Sequence, residues 1–326
     1  MRVLVTGADG FVGRWACAAL LDAGHEVIGA VRAVPGGPGA PPGWEGRLAR
    51  VHWITLELAD RPTLDAALHA EPDAVLHLAA VASGAEARAN PIAAWATNCL
   101  GTCELVYAVE RARRRCRFVL ASTGEVYGRT ASRPSLETDP VAPCSPYAAS
   151  KAAAEDAVAE VGRRTGLEVL IARPFAQTGP EQRSSFVAPA LAGRILEVAR
   201  RGEREIAVGN LDPVREFLDV RDVGTALRLL LERGEAGTTY NVAAGRGIRL
   251  AELVERLSRI IGWPVVPRSD PALHRAADIP YLVGDGGRLA GLGWRPAFEL
   301  DQTLAALVAS LRGEQVVGAA AGRAEG

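Results

Sequence analysis

Short β-branched runs alternate with helix-length amphipathic segments through the first half of the chain. Residues 2–6 form the first run, and Gly7, Gly10 and Gly13 follow it directly. A helix begins there, with Val12, Trp15, Ala19 and Leu20 spaced as one buried stripe, and Gly24 ends it. A second strand covers 26–31. Further apolar strands are predicted at 51–56, 74–78, 117–121 and 167–172, with helical patterns between them. Strands separated by helices pair in parallel, because each crossover helix covers a face of the sheet. The pattern therefore predicts an α/β fold built on a Rossmann-type, doubly wound parallel sheet. The Pro/Gly-rich stretch 35–46 has the composition of a flexible surface loop.

Beyond Arg173-Pro174 the alternation loses its regularity. Helices are predicted near 187–201 and 250–261, and a third over 219–232 that lies back on the first domain. The expected organisation is a dinucleotide-binding domain over 1–174, with 205–233 partly returning to it, and a smaller α/β substrate lobe over 175–312. The small, polar tail 313–326 has little to bury and is expected to be disordered. No internal repeat is visible.

Composition narrows the function classes. The chain has 326 residues and a formal net charge of −1, which gives no overall field to attract nucleic acid or an anionic membrane. No apolar run stands out as reaching the roughly 18 residues of a membrane span. Cys17, Cys99, Cys103, Cys116 and Cys144 are odd in number and scattered, without the spacing of a zinc site or disulfide framework. Reduced thiols in a cytoplasmic protein without a metal site are the expectation. Of 37 basic residues Lys151 is the one lysine, so 36 are arginines. A position that keeps lysine in such a chain points to a need for a compact, titratable ammonium.

Two clusters carry chemistry. Gly7-Ala8-Asp9-Gly10-Phe11-Val12-Gly13 joins a strand to a helix, where glycines let the backbone approach a pyrophosphate at the helix N-terminus. At the end of the second strand, where an acidic residue would read the ribose of NAD(H), the chain has Ala30-Val31-Arg32. Arginine suits a 2′-phosphate, so NADP(H) is expected, with NAD(H) and a plain surface role for Arg32 as the alternatives. In Tyr147-Ala148-Ala149-Ser150-Lys151 a phenol and the chain's lysine stand one helical turn apart, and Ser122-Thr123 follows an apolar strand upstream. An ammonium beside a phenol is expected to favour its ionised form. Tyr147 would pass a proton to a carbonyl oxygen that Thr123 hydrogen-bonds, in a hydride transfer from nicotinamide.

From residue 1 to about 312 the chain resembles the extended short-chain dehydrogenase/reductase family of sugar-nucleotide epimerases, dehydratases and reductases. The matching motifs run in order: residues 6–13, His77-Leu78-Ala79-Ala80, Asn98-Cys99-Leu100-Gly101-Thr102, 122–128 and 147–151. The resemblance implies that Glu57 and Leu58 lie against adenine and that Leu78, Ala79, Ala80, Arg173 and Pro174 line the cofactor. It implies that Asn98 supports the site, that His77 is a strand-end residue, and that Ser83, Thr123, Glu125, Gln177 and Val187 face the substrate. It also implies a homodimer built through helices beside the Tyr-x-x-x-Lys helix.

The second half is most similar to the family's GDP-4-keto-6-deoxy-D-mannose reductases, which form GDP-D-rhamnose. The similar stretches are 173–180, 209–222 and 278–294. Arg215 and Arg275 are candidates for a nucleotide diphosphate, since guanidinium forks hold phosphate oxygens in pairs; a surface role is the other reading. The resemblance thus implies an NADPH-dependent reductase of a GDP-linked 4-keto-6-deoxy sugar, with 4,6-dehydratase or 4-epimerase chemistry as the rival and a non-catalytic dinucleotide-binding protein as a third reading. Two departures stand out. Ala176-Gln177 replaces the usual Asn-His of the reductases. Thr123-Gly124-Glu125 keeps the glutamate that dehydratases use as a base, but has Gly124 where dTDP-glucose dehydratases have aspartate.

Overall fold

The computed structural model describes residues 1–32, 46–112, 116–130, 132–274 and 279–314. The predicted loop, apart from Gly46, and the tail beyond residue 314 lie outside the described residues. Strands β1 (Arg2–Thr6), β2 (Glu26–Val31), β3 (His52–Thr55), β4 (Ala74–His77), β5 (Arg117–Ala121) and β6 (Glu168–Pro174) form one sheet in the order β3-β2-β1-β4-β5-β6. Every pair is parallel, which makes this a Rossmann-type sheet. Thr239–Val242 adds a seventh parallel strand beside β6. The sequence pattern did not show it, because Thr-Tyr-Asn-Val is short and half polar.

Alternation along β1 sorts the two faces. Val3 and Val5 join a core with Trp15, Ala16 and Leu20 of helix α1 (Phe11–Asp22), while Leu4 joins Leu64, Leu105 and Val158 on the other side. Val12 and Ala19, expected in the buried stripe of α1, are half-buried; Ala16, Cys17 and Leu21 take their place. Helix Val220–Arg233 packs on α1 so closely that a Cβ at Gly224 would stand 2.8 Å from the Trp15 carbonyl oxygen. Residues 205–208 instead pair with Val266–Ser269, outside the main sheet.

Pro91–Arg111 forms one helical run whose length and apolar composition match a membrane span, a feature the sequence reading passed over. Its buried Ala94, Asn98, Gly101, Thr102, Leu105 and Val106 account for that composition as a core helix. The run changes to π-helical hydrogen bonding at Ala96–Leu100, an irregularity that often marks functional positions.

A second core is made by helices Val187–Arg201, Leu250–Ile261 and Leu300–Leu311. Buried polar groups tie it to the sheet. Asp222 accepts from the Ala297 and Phe298 amides at 3.0 and 3.1 Å, and Thr303 donates to Asp219 at 2.8 Å. Glu216 accepts from the Ala244 and Gly284 amides at 2.8 and 2.7 Å, and burial pushes its carboxyl up to about 7. Arg173, at the end of β6, is fully committed. It pairs with Glu155 at 2.6 Å and donates to the Tyr127 hydroxyl at 2.9 Å, which donates to Asn241 on the seventh strand at 2.7 Å.

Both members of the Arg173–Glu155 pair are more than nine-tenths buried. Arg173→Met leaves a carboxylate without its cation and is expected to cost about 3–5 kcal/mol in urea unfolding. The double variant Glu155→Leu/Arg173→Met should recover only part of that loss, because it also removes the carboxylate that supports the buried Lys151 ammonium. A single variant as stable as wild type would contradict the assignment.

Candidate active site

The order of the sheet reverses between β1 and β4, so the crevice beyond their carboxyl ends is where this topology admits a ligand. The glycine turn stands there. Gly7 has φ +66°, and a Cβ on it would lie 2.9 Å from the Ala79 backbone. A Cβ on Gly13 would come within 2.1 Å of the Gly7 carbonyl oxygen. Helix α1 then starts at Phe11 with Gly10 as its cap and no side-chain acceptor for its first amides. Asp9 and Gly10 are exposed, and Phe11 and Val12 half-buried. A close backbone cradle with free-facing helix amides fits a pyrophosphate.

Leu78, Ala79 and Ala80, all half-buried, face this turn from the end of β4. Arg32 is exposed at the end of β2, directly before undescribed residues. The Leu58 side chain packs in the core under Gly101, next to the exposed Glu57. Arg173 is held by Glu155, beside half-buried Pro174.

The alanine-rich helix Pro146–Thr165 carries Tyr147 and Lys151. Ser145 caps it by accepting from the Ala148 amide at 3.1 Å, proline occupies the first turn, and Gly166 at φ +77° ends it. Thr123, just past β5, accepts from the Glu125 amide at 3.2 Å and lies within hydrogen-bonding reach of the Tyr147 hydroxyl. Glu125 sits on the short turn Gly124–Tyr127, near enough for its charge to act on the same phenol. Thr123, Glu125 and Tyr147 therefore converge.

Burial, followed by the Glu125 charge, pushes the Tyr147 phenol upward from its ordinary value, partly offset by the Thr123 hydroxyl. Lys151 is 2 % exposed, and burial lowers its ammonium to about 8 against the support of Glu155 one turn on.

The remaining predicted residues sit on other elements. Ser83 caps helix Gly84–Ala89 through the Glu86 amide at 3.3 Å. Gln177 pairs with Leu218 in a two-residue strand and Val187 opens helix Val187–Arg201. Arg215 is half-buried in the strand Val214–Glu216. Arg275 lies outside the described residues. Sequence reasoning gave Asn98 only a general supporting role and overlooked Thr6, Thr102 and Ser150. The Asn98 amide group accepts from the Val81 N–H at 2.7 Å and donates to the Ser150 hydroxyl at 3.0 Å, and Ser150 donates to the Tyr147 carbonyl at 2.8 Å. The visible signal was hydroxyls at strand end, at i+4 from Asn98 and next to Lys151.

Residues 3–243 match the NAD dependent epimerase/dehydratase family, and the chain belongs to it. It is 37% identical to the GDP-6-deoxy-D-mannose reductase of Pseudomonas aeruginosa over 241 residues, 73% of this chain and 79% of that one. It is 30% identical to a dTDP-glucose 4,6-dehydratase of Streptomyces antibioticus, over 94% of this chain and 90% of the relative. The structure of RMD from Pseudomonas aeruginosa complexed with NADPH superposes with a TM-score of 0.80 at 33% identity, covering 96% of this chain and 99% of that one. Family and fold together make the chain a short-chain dehydrogenase/reductase-type oxidoreductase.

Tyr147→Phe is expected to lower turnover by about 10²–10⁴-fold with folding intact, as loss of a general acid does. Lys151→Met should also lose turnover yet melt higher than wild type at pH 7, because it removes a buried charge. Between the folded value of about 8 and the ordinary 10.5, the unfolded state holds more protons than the native one, so wild-type stability rises with pH there. The gap in melting temperature should narrow over that window; a gap that widens would refute the burial argument.

Proposed function

We propose that this protein is an NADPH-dependent reductase of the 4-keto group of a nucleotide-activated 4-keto-6-deoxy sugar, with GDP-4-keto-6-deoxy-D-mannose as substrate and GDP-D-rhamnose as product. One observation carries the choice over dehydration. A Cβ at Gly124 would stand 2.8 Å from the Phe175 ring, so the site has no room for the aspartate that dTDP-glucose dehydratases place before their glutamate. Among the described residues Glu125 is then the one carboxylate whose charge reaches Tyr147, without the second carboxyl that dTDP-glucose dehydratases bring to elimination across C5 and C6.

The residues divide the work of reduction. When bound, the nicotinamide supplies the hydride. Tyr147 donates its proton to the carbonyl oxygen as negative charge develops there. Thr123 orients that oxygen by hydrogen bonding, and Lys151 stabilises the phenolate left behind. The glycine turn would hold the pyrophosphate, and Arg32 a 2′-phosphate. Arg215, and Arg275 by sequence, are the candidates for the nucleotide diphosphate of the sugar. The similarity to a GDP-6-deoxy-D-mannose reductase supports this reading; Ala176-Gln177 is where its sugar or base preference is most open to change.

The test is direct. Purified protein should leave GDP-mannose untouched, yet oxidise NADPH, faster than NADH, when given GDP-4-keto-6-deoxy-mannose made by a separate dehydratase. Loss of water from GDP-mannose without added reductant would reject the reductase reading and make Glu125 a catalytic base.

We also propose that a second copy of the chain covers the outer face of helix Pro91–Arg111. Ile92 and Leu100 are 78% and 62% exposed there, with Trp95 and the half-buried Cys99 and Cys103 in the same stripe, beside the alanine-rich Pro146–Thr165 helix. Sedimentation should show a wild-type dimer and an Ile92→Arg/Leu100→Arg monomer. A wild-type monomer at micromolar concentration would refute it.

A further inference from the structure

Beneath the site, buried hydroxyls and one imidazole join the cofactor crevice to the Tyr147 helix. Thr6 Oγ1 lies 2.7 Å from His77 Nδ1, and His77 Nε2 lies 2.9 Å from Thr102 Oγ1. Thr102 donates to the Asn98 carbonyl at 2.7 Å, and Thr6 accepts from the Leu78 and Ala79 amides at 3.2 Å each. Thr6, His77, Asn98 and Thr102 are all fully buried.

These contacts fix every proton. A threonine hydroxyl has one hydrogen, and Thr102 spends its own on Asn98, so it must accept from His77. His77 is therefore the neutral Nε2–H tautomer, and its bare Nδ1 accepts the Thr6 hydrogen. A second ring proton would face a Thr6 oxygen whose lone pairs two amides already fill. Burial and the nearby Lys151 ammonium act in the same sense, holding the imidazole down at about 3.

We propose that His77 and Thr102 are positioning residues of the reaction: a neutral, one-directional hydrogen-bonded strut that fixes the Tyr147 turn relative to the glycine cradle. The donors run from the amides of residues 78 and 79, which back Gly7, through Thr6, His77 and Thr102 to the carbonyl of Asn98. From Asn98 the side chain continues through Ser150 to the main chain of Tyr147 itself. The π-helical turn at Ala96–Leu100 holds Asn98 where its carbonyl meets Thr102 while its side chain meets Ser150. A ring ion at this place would break the direction of the chain, which explains why a histidine beside a buried ammonium stays uncharged.

The inference rests on the reductase reading for its kinetic arm alone. Thr102→Val is isosteric and removes only the hydroxyl; Thr102→Ser restores it; His77→Phe removes the ring nitrogens. Hydrogen exchange of the amides of residues 147–151 is followed in the NADP-bound protein, where no turnover is needed. Thr102→Val and His77→Phe should each speed that exchange about tenfold or more, with Thr102→Ser close to wild type. In the kinetic arm, kcat for the keto-sugar should fall about tenfold to a hundredfold in Thr102→Val and recover in Thr102→Ser, with the KM for NADPH within a few-fold of wild type. Wild-type exchange in a folded Thr102→Val protein overturns the strut. A wild-type protein inactive on the keto-sugar overturns the reductase reading and leaves the exchange result standing.

Discussion

Keeping one ammonium dry on the buried face of the helix that carries Tyr147 is the constraint that the surrounding structure serves. Taking such a charge out of water costs several kcal/mol unless partners meet it, and Lys151 is 2 % exposed. Glu155, one helical turn away, is the charge that supports it. A buried carboxylate needs its own partner, which is Arg173 at the end of β6. Arg173 in turn leans on Tyr127, and Tyr127 on Asn241 of the seventh strand. Asn241 donates to the carbonyls of Ser135 and Asp285, so the series ends at the main chain of those two segments. The cost of one titratable lysine is thus spread over the strands β6 and Thr239–Val242 and the turn that carries Glu125.

The same dryness sets the chemistry. A phenol in water exchanges its proton too slowly at neutral pH to be an unaided acid, and the sequence suggested that Lys151 would help it ionise. Burial and the Glu125 charge act in the opposite sense, pushing the phenol upward. Under the proposed reduction, a protonated Tyr147 is the form that delivers a proton to the carbonyl oxygen.

What could be read from sequence follows from what each signal depends on. The six strands β1 to β6, the glycine turn and the Tyr147–Lys151 spacing are local patterns, so periodicity and spacing exposed them. The strand Thr239–Val242 depends on a long-range pairing with β6, and its polar Asn241 hides it from any hydropathy rule. Leu58 was placed against adenine by motif, yet its side chain packs against Gly101, a contact between segments 43 residues apart that spacing cannot show. The resemblance put Arg173 at the cofactor; only the fold reveals that its guanidinium is held by Glu155 and Tyr127. His77 read as a strand-end residue, and its tautomer became legible only through Thr6 and Thr102 on two other elements.

Phe175 fills the space beside Gly124, and the proposed choice of reduction over elimination rests on that packing. The most direct measurement is the fate of the hydride. With NADPH deuterated at the transferred position of C4 and a 4-keto-6-deoxy sugar nucleotide, the account predicts one deuterium at sugar C4 in the product, with a stoichiometric amount of NADP⁺ released. Deuterium that stays with a bound nicotinamide, or a product formed with no net oxidation of the cofactor, would contradict it.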